Sequence, residues 1–467
     1  MPPEPLVIEL TPPPDPLVVA RRLVGLPHVL WFDSNHLGGD RAQFSYLVAE
    51  PLAWFEGRVE NGDHPWKFLP ALLRTATVAS LSELPPFQGG AAGLFGYGLN
   101  RCLEQLHLIQ FDEFCLPDYA IGIYSWVIAW DHTAGRCWII ATGLPAHEEA
   151  ERLRRARAQI AYVTDLMERG RQPRQQTPSP RVVPHCSYAV PSLPGVESNF
   201  EPEGYRAIVR RAIDYIHDGD CFQVNLAQRL IAPQRLPPFD LYCRLREVNP
   251  APFAAYFDGG SFQIVSASPE RFVKVSAKRQ VETRPIKGTR PRGMTPEHDM
   301  LLGGALQESE KDRAENVMIV DLLRNDLGRV CEYGTVRVDV LCSLETYRTV
   351  HHLVSQIRGQ LRADAGPLDL LRAAFPGGSV TGAPKVRAME IIAELEPHVR
   401  GPYCGCLGWI GFDGAMDTNI LIRTFTVSGG WLQFPVGGGI VADSDPSKEY
   451  EETLHKATGL VRALDVP

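Results

Sequence analysis

The strand-forming runs of this chain are clustered, and this clustering constrains the fold more than any other feature of the sequence. Runs of β-branched and aromatic residues bounded by turn residues predict strands at residues 29–33, 44–49, 90–97, 120–130 and 137–141. Helical spacing of apolar residues occurs later, at residues 201–218, 312–327 and 385–395. Because strands cluster and do not alternate strictly with helices, we predict an antiparallel α+β fold and not a doubly wound α/β fold.

A proline-rich segment divides the chain. Residues 168–201 are rich in Pro, Arg, Gln and Ser and show no sustained periodicity. Proline removes a backbone donor and disfavours helix, so this segment is predicted to be an exposed linker or long loop. It follows a charged amphipathic helix predicted at residues 146–166. We therefore expect a strand-rich N-terminal part (1–167), a linker (168–197) and a C-terminal part (198–467).

Composition and charge exclude several function classes. The 467 residues include 47 Lys+Arg and 55 Asp+Glu, a net charge of −8, whereas a dedicated nucleic-acid binder should present a basic face. The longest strongly apolar stretch, residues 121–130, is too short to cross a bilayer, and the N-terminus lacks the layout of a signal peptide. The ten cysteines form no C-x-x-C pair. We expect a cytoplasmic protein with reduced thiols that binds neither nucleic acid nor membrane.

Two glycine-rich segments are candidate ligand loops. The first, residues 375–385 (FPGGSVTGAPK), places Thr381 and Gly382 just before a predicted helix. Backbone donors at a helix N-terminus favour an anion, although a plain turn with a capped helix has the same pattern. The second, Gly437 to Gly439, follows a predicted strand and indicates either close approach to a ligand or a strand bulge. Neither segment fits a dinucleotide-binding or P-loop pattern.

Two acidic pairs have the spacing of metal ligands. Asp312 and Glu315 lie three residues apart on one predicted helix, and Glu449 and Glu452 do so on another. This spacing puts both carboxylates of a pair on one helix face. Such carboxylates suit Mg²⁺, although a solvated acidic helix face has the same pattern.

Three further positions have the chemistry of catalytic groups. Lys287 lies among several cations in RPIKGTRPR, which disfavours its ammonium form and makes it a candidate nucleophile, whereas an anion contact or a solvated lysine is the alternative. Glu270 ends a predicted strand in SPERF and is a candidate general acid or base. His352 precedes an apolar run, where a histidine is usually a satisfied core residue.

The co-occurrence of these motifs in a fixed order is more specific than any one of them. The ordered blocks are CFQVNLAQR (221–229), NPAPF (249–253), SPERF (268–272), RPIKGTRPRG (284–293), KDRAENVMIVDLLRNDLGR (311–329), HHLVS (351–355), FPGGSVTGAPK (375–385) and GGGIVADSDP (437–446). With these blocks, the chain resembles the chorismate-utilising enzymes from about residue 200 to residue 464. The resemblance implies a large core of two β-sheets flanked by helices, with chorismate and Mg²⁺ bound between them.

The resemblance also implies a role for each candidate residue. Lys287, Glu270 and His352 correspond to the reacting groups of the family. Its metal carboxylates correspond to Glu315 and Glu452, with Asp312 and Glu449 beside them, directly or through water. The residues that bind the substrate correspond to Thr381, Gly382, Ala383, Lys385, Arg423, Gly437, Gly438, Gly439 and Lys456.

Two positions separate the branches of the family. Members that add water to chorismate carry a lysine where this chain has Gln223, so water addition is not expected. Members that aminate chorismate at C2 usually carry alanine at the position of Lys287, whereas members that aminate it at C4 carry lysine. We therefore expect amination at C4 through a covalent lysine intermediate. Amination at C2 and a non-catalytic, degenerate subunit are the alternatives.

Two partners follow from the resemblance. Cys404 and Cys406 lack the pattern of a glutaminase nucleophile, so we expect a separate glutamine amidotransferase subunit to supply ammonia. The N-terminal part resembles the family at a pocket that holds L-tryptophan in some relatives. That pocket corresponds to Ser34, Arg41, Ala42, Gln43, Phe44, Pro252, Phe253 and Ala254. Ala254 replaces a serine of those relatives, so tryptophan is expected to be structural or absent.

Overall fold

The computed structural model describes residues 2–34, 43–76, 78–170, 182–185, 187–347 and 350–464. The helices in these residues are α1 (Pro16–Leu23), α2 (Pro65–Thr75), α3 (Glu149–Arg169), α4 (Pro202–His217), α5 (Pro238–Val248), α6 (Pro296–Glu308), α7 (Glu310–Gly328), α8 (Pro367–Ala374), α9 (Lys385–Leu395) and α10 (Pro446–Leu464). Short 3₁₀ helices lie at Val59–Asn61, Tyr97–Cys102 and Gly378–Val380. None of the helices in the described ranges has both the length and the apolar character needed to cross a bilayer.

The strands of the N-terminal part are β1 (Leu6–Glu9), β2 (Leu30–Asp33), β3 (Phe44–Val48), β4 (Ala53–Gly57), β5 (Gly90–Phe95), β6 (Tyr119–Tyr124), β7 (Trp126–Asp131) and β8 (Arg136–Ala141). The next are β9 (Tyr188–Ala189), β10 (Glu197–Ser198), β11 (Gln223–Gln228), β12 (Leu230–Pro233), β13 (Phe253–Asp258), β14 (Gln263–Ser268), β15 (Arg271–Val275), β16 (Gln280–Thr283) and β17 (Ile286–Pro291). The last are β18 (Arg337–Thr346), β19 (Val350–Gln360), β20 (Gly382–Ala383), β21 (Cys406–Gly411), β22 (Met416–Asn419), β23 (Thr424–Ser428), β24 (Trp431–Gln433) and β25 (Val436–Ile440).

These strands form two large antiparallel sheets and one small sheet. The twelve-stranded sheet has the order β1-β8-β7-β3-β2-β13-β14-β23-β24-β12-β10-β9. The ten-stranded sheet has the order β17-β19-β16-β15-β22-β21-β5-β6-β4, with β18 also paired to β19. The small sheet has the order β20-β11-β25. The predicted α+β class is confirmed.

The two large sheets pack face to face, and helices cover their outer faces. A buried cluster between the sheets joins Leu30 and Tyr46 of the twelve-stranded sheet to Leu94 and Trp409 of the ten-stranded sheet. Helices α1, α3, α5 and α10 bury apolar residues against the other face of the larger sheet. Helices α2, α7 and α8 do the same on the smaller of the two. Because each element buries its apolar face against the next layer, this is a helix–sheet–sheet–helix arrangement.

Both large sheets combine strands from the two ends of the chain. In the twelve-stranded sheet β2 pairs with β13, with Trp31 opposite Tyr256. In the ten-stranded sheet β5 pairs with β21, with Gly93 opposite Gly408. The predicted boundary between the N-terminal and C-terminal parts therefore separates segments of chain that share the same sheets. Within the predicted linker, residues 171–181 and 186 lie outside the described residues.

The apolar run at residues 120–130, predicted as one strand, is two strands in different sheets. The run breaks at Ser125, so that β6 joins the ten-stranded sheet and β7 joins the twelve-stranded one. The Ser125 carbonyl accepts hydrogen bonds from the backbone and the hydroxyl of Thr142. Both strands are buried almost throughout, so the sequence carries no polar alternation that would mark the change of sheet.

Candidate active site

The small sheet brings the two glycine-rich segments together on opposite edges of β11. Gln223 and Val224 pair with Ala383 and Gly382 on one side. On the other side, three consecutive β11 residues pair with Gly439, Gly438 and Gly437. Thr381, the first predicted substrate-binding residue of the first segment, accepts a 2.7 Å hydrogen bond at its carbonyl from the backbone of Asn225.

A Cβ on Gly437 would lie 2.4 Å from the Leu226 carbonyl oxygen of the paired strand, and side chains of predicted site residues lie close to the next two glycines. A Cβ on Gly439 would lie 1.8 Å from Nε2 of Gln223 and 3.4 Å from Nζ of Lys287. A Cβ on Gly438 would lie 3.2 Å from Oε2 of Glu449. Gly382 has φ of +146°, which residues with a side chain rarely adopt. β25 pairs with β11 in an unbroken register, so the second glycine segment is not a strand bulge.

Lys287 lies on β17 at the centre of this group. Its ammonium nitrogen is 3.3 Å from the carbonyl oxygen of Ser379, which accepts a hydrogen bond from it. Burial lowers the pKa of Lys287, and the nearby ammonium of Lys456 lowers it further, whereas Glu315 and Glu270 oppose this change. A lower pKa increases the fraction of neutral amine, which is the nucleophilic form.

Glu270 lies in the turn between β14 and β15 and is 4% exposed. Burial raises the pKa of its carboxyl to about 7, although a hydrogen bond from Ser379 and the charge of Lys287 both act in the opposite direction. The Ser379 hydroxyl donates that hydrogen bond to Oε1 at 2.8 Å. The carboxyl therefore holds its proton in a large fraction of molecules near neutral pH, as a general acid must.

His352 lies on β19, the strand next to β17. It is directly opposite Thr289, two residues beyond Lys287, and its Nδ1 is 2.9 Å from the Thr289 hydroxyl. The ring of Tyr347 packs edge-on against it, with 5.5 Å between the ring centroids. His352 is buried, but it is on a strand adjacent to the candidate nucleophile and not in a distant part of the core.

The four predicted metal carboxylates come from two helices, α7 and α10. Burial raises the pKa of Glu315, and the charges of Asp312 and Glu449 add to this effect. Glu315 makes no hydrogen bond or salt bridge to any described residue. Glu449 is 4% exposed, accepts a 2.7 Å hydrogen bond from Ser444, and has its pKa raised mainly by burial.

The other two carboxylates are paired with cations. Arg290 donates a 2.9 Å hydrogen bond to Asp312. Lys456 lies 2.6 Å from Glu452 and also donates to the Gly437 carbonyl at 2.8 Å. Burial opposes ionisation of Glu452, but the charge and hydrogen bond of Lys456 hold its pKa below the usual range. Lys456 thus links an acidic helix to the second glycine segment.

The four carboxylates have the chemistry of Mg²⁺ ligands. The donors are all carboxylate oxygens, which Mg²⁺ prefers, and the unpartnered Glu315 is available to a cation. In the described part of the chain, however, no group of three or more His, Cys, Asp or Glu side chains is gathered closely enough to hold one ion. The structure therefore brings the predicted carboxylates to one region without assembling a complete coordination sphere.

Arg423 is a free cation near this region. Its backbone has φ of +52°, and its guanidinium makes no hydrogen bond or salt bridge to a described residue. Burial lowers its pKa, while the charge of Glu452 opposes that change. A partly buried cation without a partner is a suitable ligand for a substrate carboxylate.

Lys385 lies elsewhere, although it is adjacent in sequence to the first glycine segment. Its ammonium donates to Asp326 at 2.6 Å and to the Ala374 carbonyl at 2.7 Å. It lines an apolar groove of about 1290 Å³ formed by α7, α8 and α9. None of Lys287, Glu270 and the four predicted metal carboxylates lines this groove. Of the other predicted substrate ligands, only Ala383 is among the described residues that line this groove.

Two positions beside the candidate site were not among the predicted site residues. Ser379 contacts both Lys287 and Glu270, but its position inside a glycine-rich loop gave no chemical signal beyond a polar side chain. Gln223, predicted only to separate family branches, is 1% exposed, and neither polar atom of its amide group has a hydrogen-bond partner among the described residues. Because it lies against Gly439, this amide is available to a ligand beside Lys287.

The predicted tryptophan pocket lies between the two large sheets. The predicted residues that line this cavity of about 90 Å³ are Ser34, Gln43, Phe44, Pro252, Phe253 and Ala254. Arg271 also lines it, donating two 3.0 Å hydrogen bonds to Asp417. The predicted pocket residues Arg41 and Ala42 lie outside the described residues.

The chain is similar to a known family and to several characterised enzymes. Residues 30–462 match the family described as chorismate binding enzyme. The chain is 40% identical to aminodeoxychorismate synthase component 1 of Escherichia coli (strain K12) over 457 residues, 95% of each chain. It is 37% identical to the protein of the same name from Bacillus subtilis, over 91% of this chain and 90% of that protein. It is 43% identical to anthranilate synthase component 1 of Thermus thermophilus, over 82% and 79%.

Solved structures of related enzymes have the same fold. Anthranilate synthase component I from Streptococcus pneumoniae superposes with a TM-score of 0.76 at 32% identity, over 91% of this chain and 93% of that one. The menaquinone-specific isochorismate synthase of Escherichia coli superposes with a TM-score of 0.70 over 99% and 95%. At 18% identity, this second likeness concerns the fold alone. The predicted core of two sheets flanked by helices is confirmed.

Proposed function

The chain belongs to the family of chorismate-binding enzymes, and we propose that within this family it aminates chorismate at C4. It would then be component I of an aminodeoxychorismate synthase, whose product is the precursor of p-aminobenzoate in folate synthesis. The observation that carries this proposal is the position of Lys287. Its amine has a lowered pKa and lies 3.3 Å from Ser379, whose hydroxyl contacts the carboxyl of Glu270.

In the first proposed step, the neutral amine of Lys287 attacks ring C2 of chorismate. A bond forms between Nζ and C2, the two ring double bonds shift towards C4, and the C4–O bond breaks. Glu270 gives its proton to the departing hydroxyl, so that water leaves and the carboxylate remains. The product of this step is a ring joined to Lys287 through a secondary ammonium.

In the second step, ammonia attacks C4 of the ring. The ammonia is supplied by a partner subunit or is taken from solution. The double bonds shift back, the C2–Nζ bond breaks, and Lys287 leaves as a neutral amine. The new ammonium group at C4 loses a proton to the Glu270 carboxylate, which restores the starting enzyme. The sum of both steps is chorismate plus ammonia giving 4-amino-4-deoxychorismate plus water, with the enolpyruvyl group retained.

The remaining residues bind and orient the substrate. The backbone of Gly382, Ala383 and the glycines of β25, together with Arg423, would hold its carboxylates. His352 would polarise the ring or transfer a proton beside it. Glu315 and Glu452 would hold Mg²⁺ with the help of Asp312 and Glu449. The bound ion would neutralise the ring carboxylate of chorismate, which otherwise meets an acidic region.

We propose that a separate glutamine amidotransferase subunit supplies the ammonia. A glutaminase nucleophile is a thiolate, which requires a thiol of lowered pKa. Burial instead raises the pKa of Cys404 to about 12 and raises that of Cys406 as well. Free ammonia at high concentration would replace this subunit in vitro.

Amination at C2, the anthranilate synthase reaction, is the second candidate because the relatives of that name are as similar to this chain as those of the first. Product analysis separates the two. The protein is incubated with chorismate, Mg²⁺ and ammonium, and a purified aminodeoxychorismate lyase is then added. We expect p-aminobenzoate. Anthranilate fluorescence without p-aminobenzoate would contradict the proposed function.

A further inference from the structure

A buried ion pair lies behind the small sheet, outside the groups assigned above. Glu396 follows the last residue of α9, and Arg400 lies four residues later. Their side chains are only 4% and 2% exposed, and the Arg400 guanidinium donates to both carboxylate oxygens at 2.8 and 2.6 Å. The rings of Tyr97 and Tyr403 enclose the guanidinium, at 4.9 and 5.8 Å from its carbon.

This pair also holds the backbone of the first glycine segment and of β11, the strand between the two glycine segments. Arg400 donates to the Val380 carbonyl at 3.0 Å, immediately before the segment of Thr381 to Ala383. It donates to the Asn225 carbonyl on β11 at 2.8 Å. Glu396 accepts a 2.8 Å hydrogen bond from the backbone of Ala227, also on β11. One ion pair therefore contacts three backbone groups, one in the first glycine segment and two on β11.

These contacts join the loop before helix α9 to the residues that follow the helix. Helix α9 begins at Lys385, the last residue of the first glycine segment, and ends just before Glu396. Arg400 then returns to the Val380 carbonyl within the same segment. On β11, Asn225 and Ala227 pair with Gly439 and Gly437 of the second glycine segment. The ion pair thus contacts both the first glycine segment and the strand with which the second one pairs.

Stability alone does not account for such a pair. A buried ion pair is costly to desolvate, and apolar residues of similar volume are often as stabilising or more so. Its charged donors and acceptors do, however, fix geometry, because each of their contacts has a required direction and length. The Arg400 pKa is raised by Glu396 against the effect of burial, so the guanidinium stays charged.

We propose that Glu396 and Arg400 are positioning residues for chorismate, which set the separation of the two glycine-rich segments that bind its carboxylates. The proposal rests on the proposed function only in taking these segments as the substrate site. It concerns affinity for chorismate and is independent of whether the ring is aminated at C4 or at C2.

The test is the variant Arg400→Lys, which keeps a cation beside Glu396. Lysine has a single side-chain nitrogen, whereas the three nitrogens of Arg400 reach Glu396, Val380 and Asn225. Chorismate consumption is measured with saturating ammonium and Mg²⁺, whichever product forms. We expect the KM for chorismate to rise about tenfold and kcat to change less than about threefold, in a variant that remains folded at the assay temperature. Glu396→Gln, which retains an acceptor for Ala227, should raise KM in the same way.

Arg152→Lys is the matched control. Arg152 is a buried arginine that likewise donates to two backbone carbonyls, those of Glu4 and Thr142, but it lies on α3. Its variant should change Tm without changing KM. If Arg400→Lys does not fold, Glu396→Gln decides the question by the same measurement. A KM within twofold of wild type in a folded variant of either residue would overturn the proposal, whereas production of anthranilate would overturn only the proposed function.

Discussion

The hydroxyl of Ser379 donates a 2.8 Å hydrogen bond to the carboxyl of Glu270. The backbone carbonyl of the same serine accepts a hydrogen bond from Lys287. One residue of the first glycine segment therefore holds both the candidate nucleophile and the candidate acid.

Ser379→Ala should shift the pH dependence of the reaction. The hydrogen bond from Ser379 lowers the pKa of Glu270, while burial raises it to about 7 overall. Removing the hydroxyl raises the pKa further, so the decrease in kcat/KM at alkaline pH should occur at higher pH. The profile is measured at constant free ammonia, because the ammonia fraction itself depends on pH. An unchanged alkaline limb would contradict the assignment of Glu270 as the acid.

Lys287→Ala should abolish formation of aminodeoxychorismate because the nucleophile is lost. Some anthranilate is expected, since ammonia gains access to C2. Products are quantified by chromatography, and Lys278→Ala, in the exposed turn between β15 and β16, is the control with wild-type products. In the wild-type protein without ammonia, mass spectrometry should detect an adduct of chorismate less water. Undiminished synthesis of aminodeoxychorismate by Lys287→Ala would exclude the covalent mechanism.

Glu270→Gln should stabilise the protein above neutral pH. The folded-state pKa of about 7 lies above the ordinary value of 4.5, so the protonated carboxyl favours folding at low pH. That contribution is complete below about pH 4.5 and is lost as pH rises to 7. The loss amounts to about 3 kcal/mol, at 1.36 kcal/mol per pKa unit.

Urea unfolding at pH 5 and pH 8 measures this effect. The free energy of unfolding of Glu270→Gln relative to wild type should increase by about 3 kcal/mol between the two values. Glu308→Gln, at an exposed position on α6, serves as the control and should show no such increase. An equal difference at both pH values would show that Glu270 ionises normally in the folded protein.

Glu315→Gln should weaken binding of Mg²⁺ by roughly tenfold or more, since loss of outer-shell partners alone costs 10–100-fold. Calorimetric titration with Mg²⁺ in the presence of chorismate measures this directly, without relying on turnover. Glu310→Gln lies on the exposed first turn of the same helix and should bind like wild type. Equal Mg²⁺ affinity of the two variants would remove Glu315 from the metal site.

Residue patterns within a short stretch of sequence predicted helix α9, but they did not predict that the chain changes from one sheet to the other at Ser125. The spacing of apolar residues predicted a helix at 385–395, and α9 has these bounds, because its periodicity and the preceding proline are local properties. The division between β6 and β7 depends on which distant strand each one contacts. No residue within the run carries that information, since both strands bury nearly all their side chains.

Prediction of the candidate site from sequence was likewise limited to features that neighbouring residues determine. The acidic pairs could be predicted because helical spacing fixes which side chains share a face. The direction of the Lys385 side chain could not, because it is determined by Asp326 on a different helix. Ser379 contacts Lys287 through its backbone carbonyl, a group that every residue has. This contact therefore depends on the fold and not on the residue type.

The pairing of β5 with β21 has a consequence for synthesis of the protein. Gly93 pairs with Gly408, so one edge of β5 lacks its partner until nearly all of the chain has left the ribosome. The nascent N-terminal half then carries an apolar strand edge, which is a template for association with other chains. Contacts between such distant residues also slow folding. Production of this enzyme in the cell is therefore expected to depend on chaperones that bind the unfinished sheet.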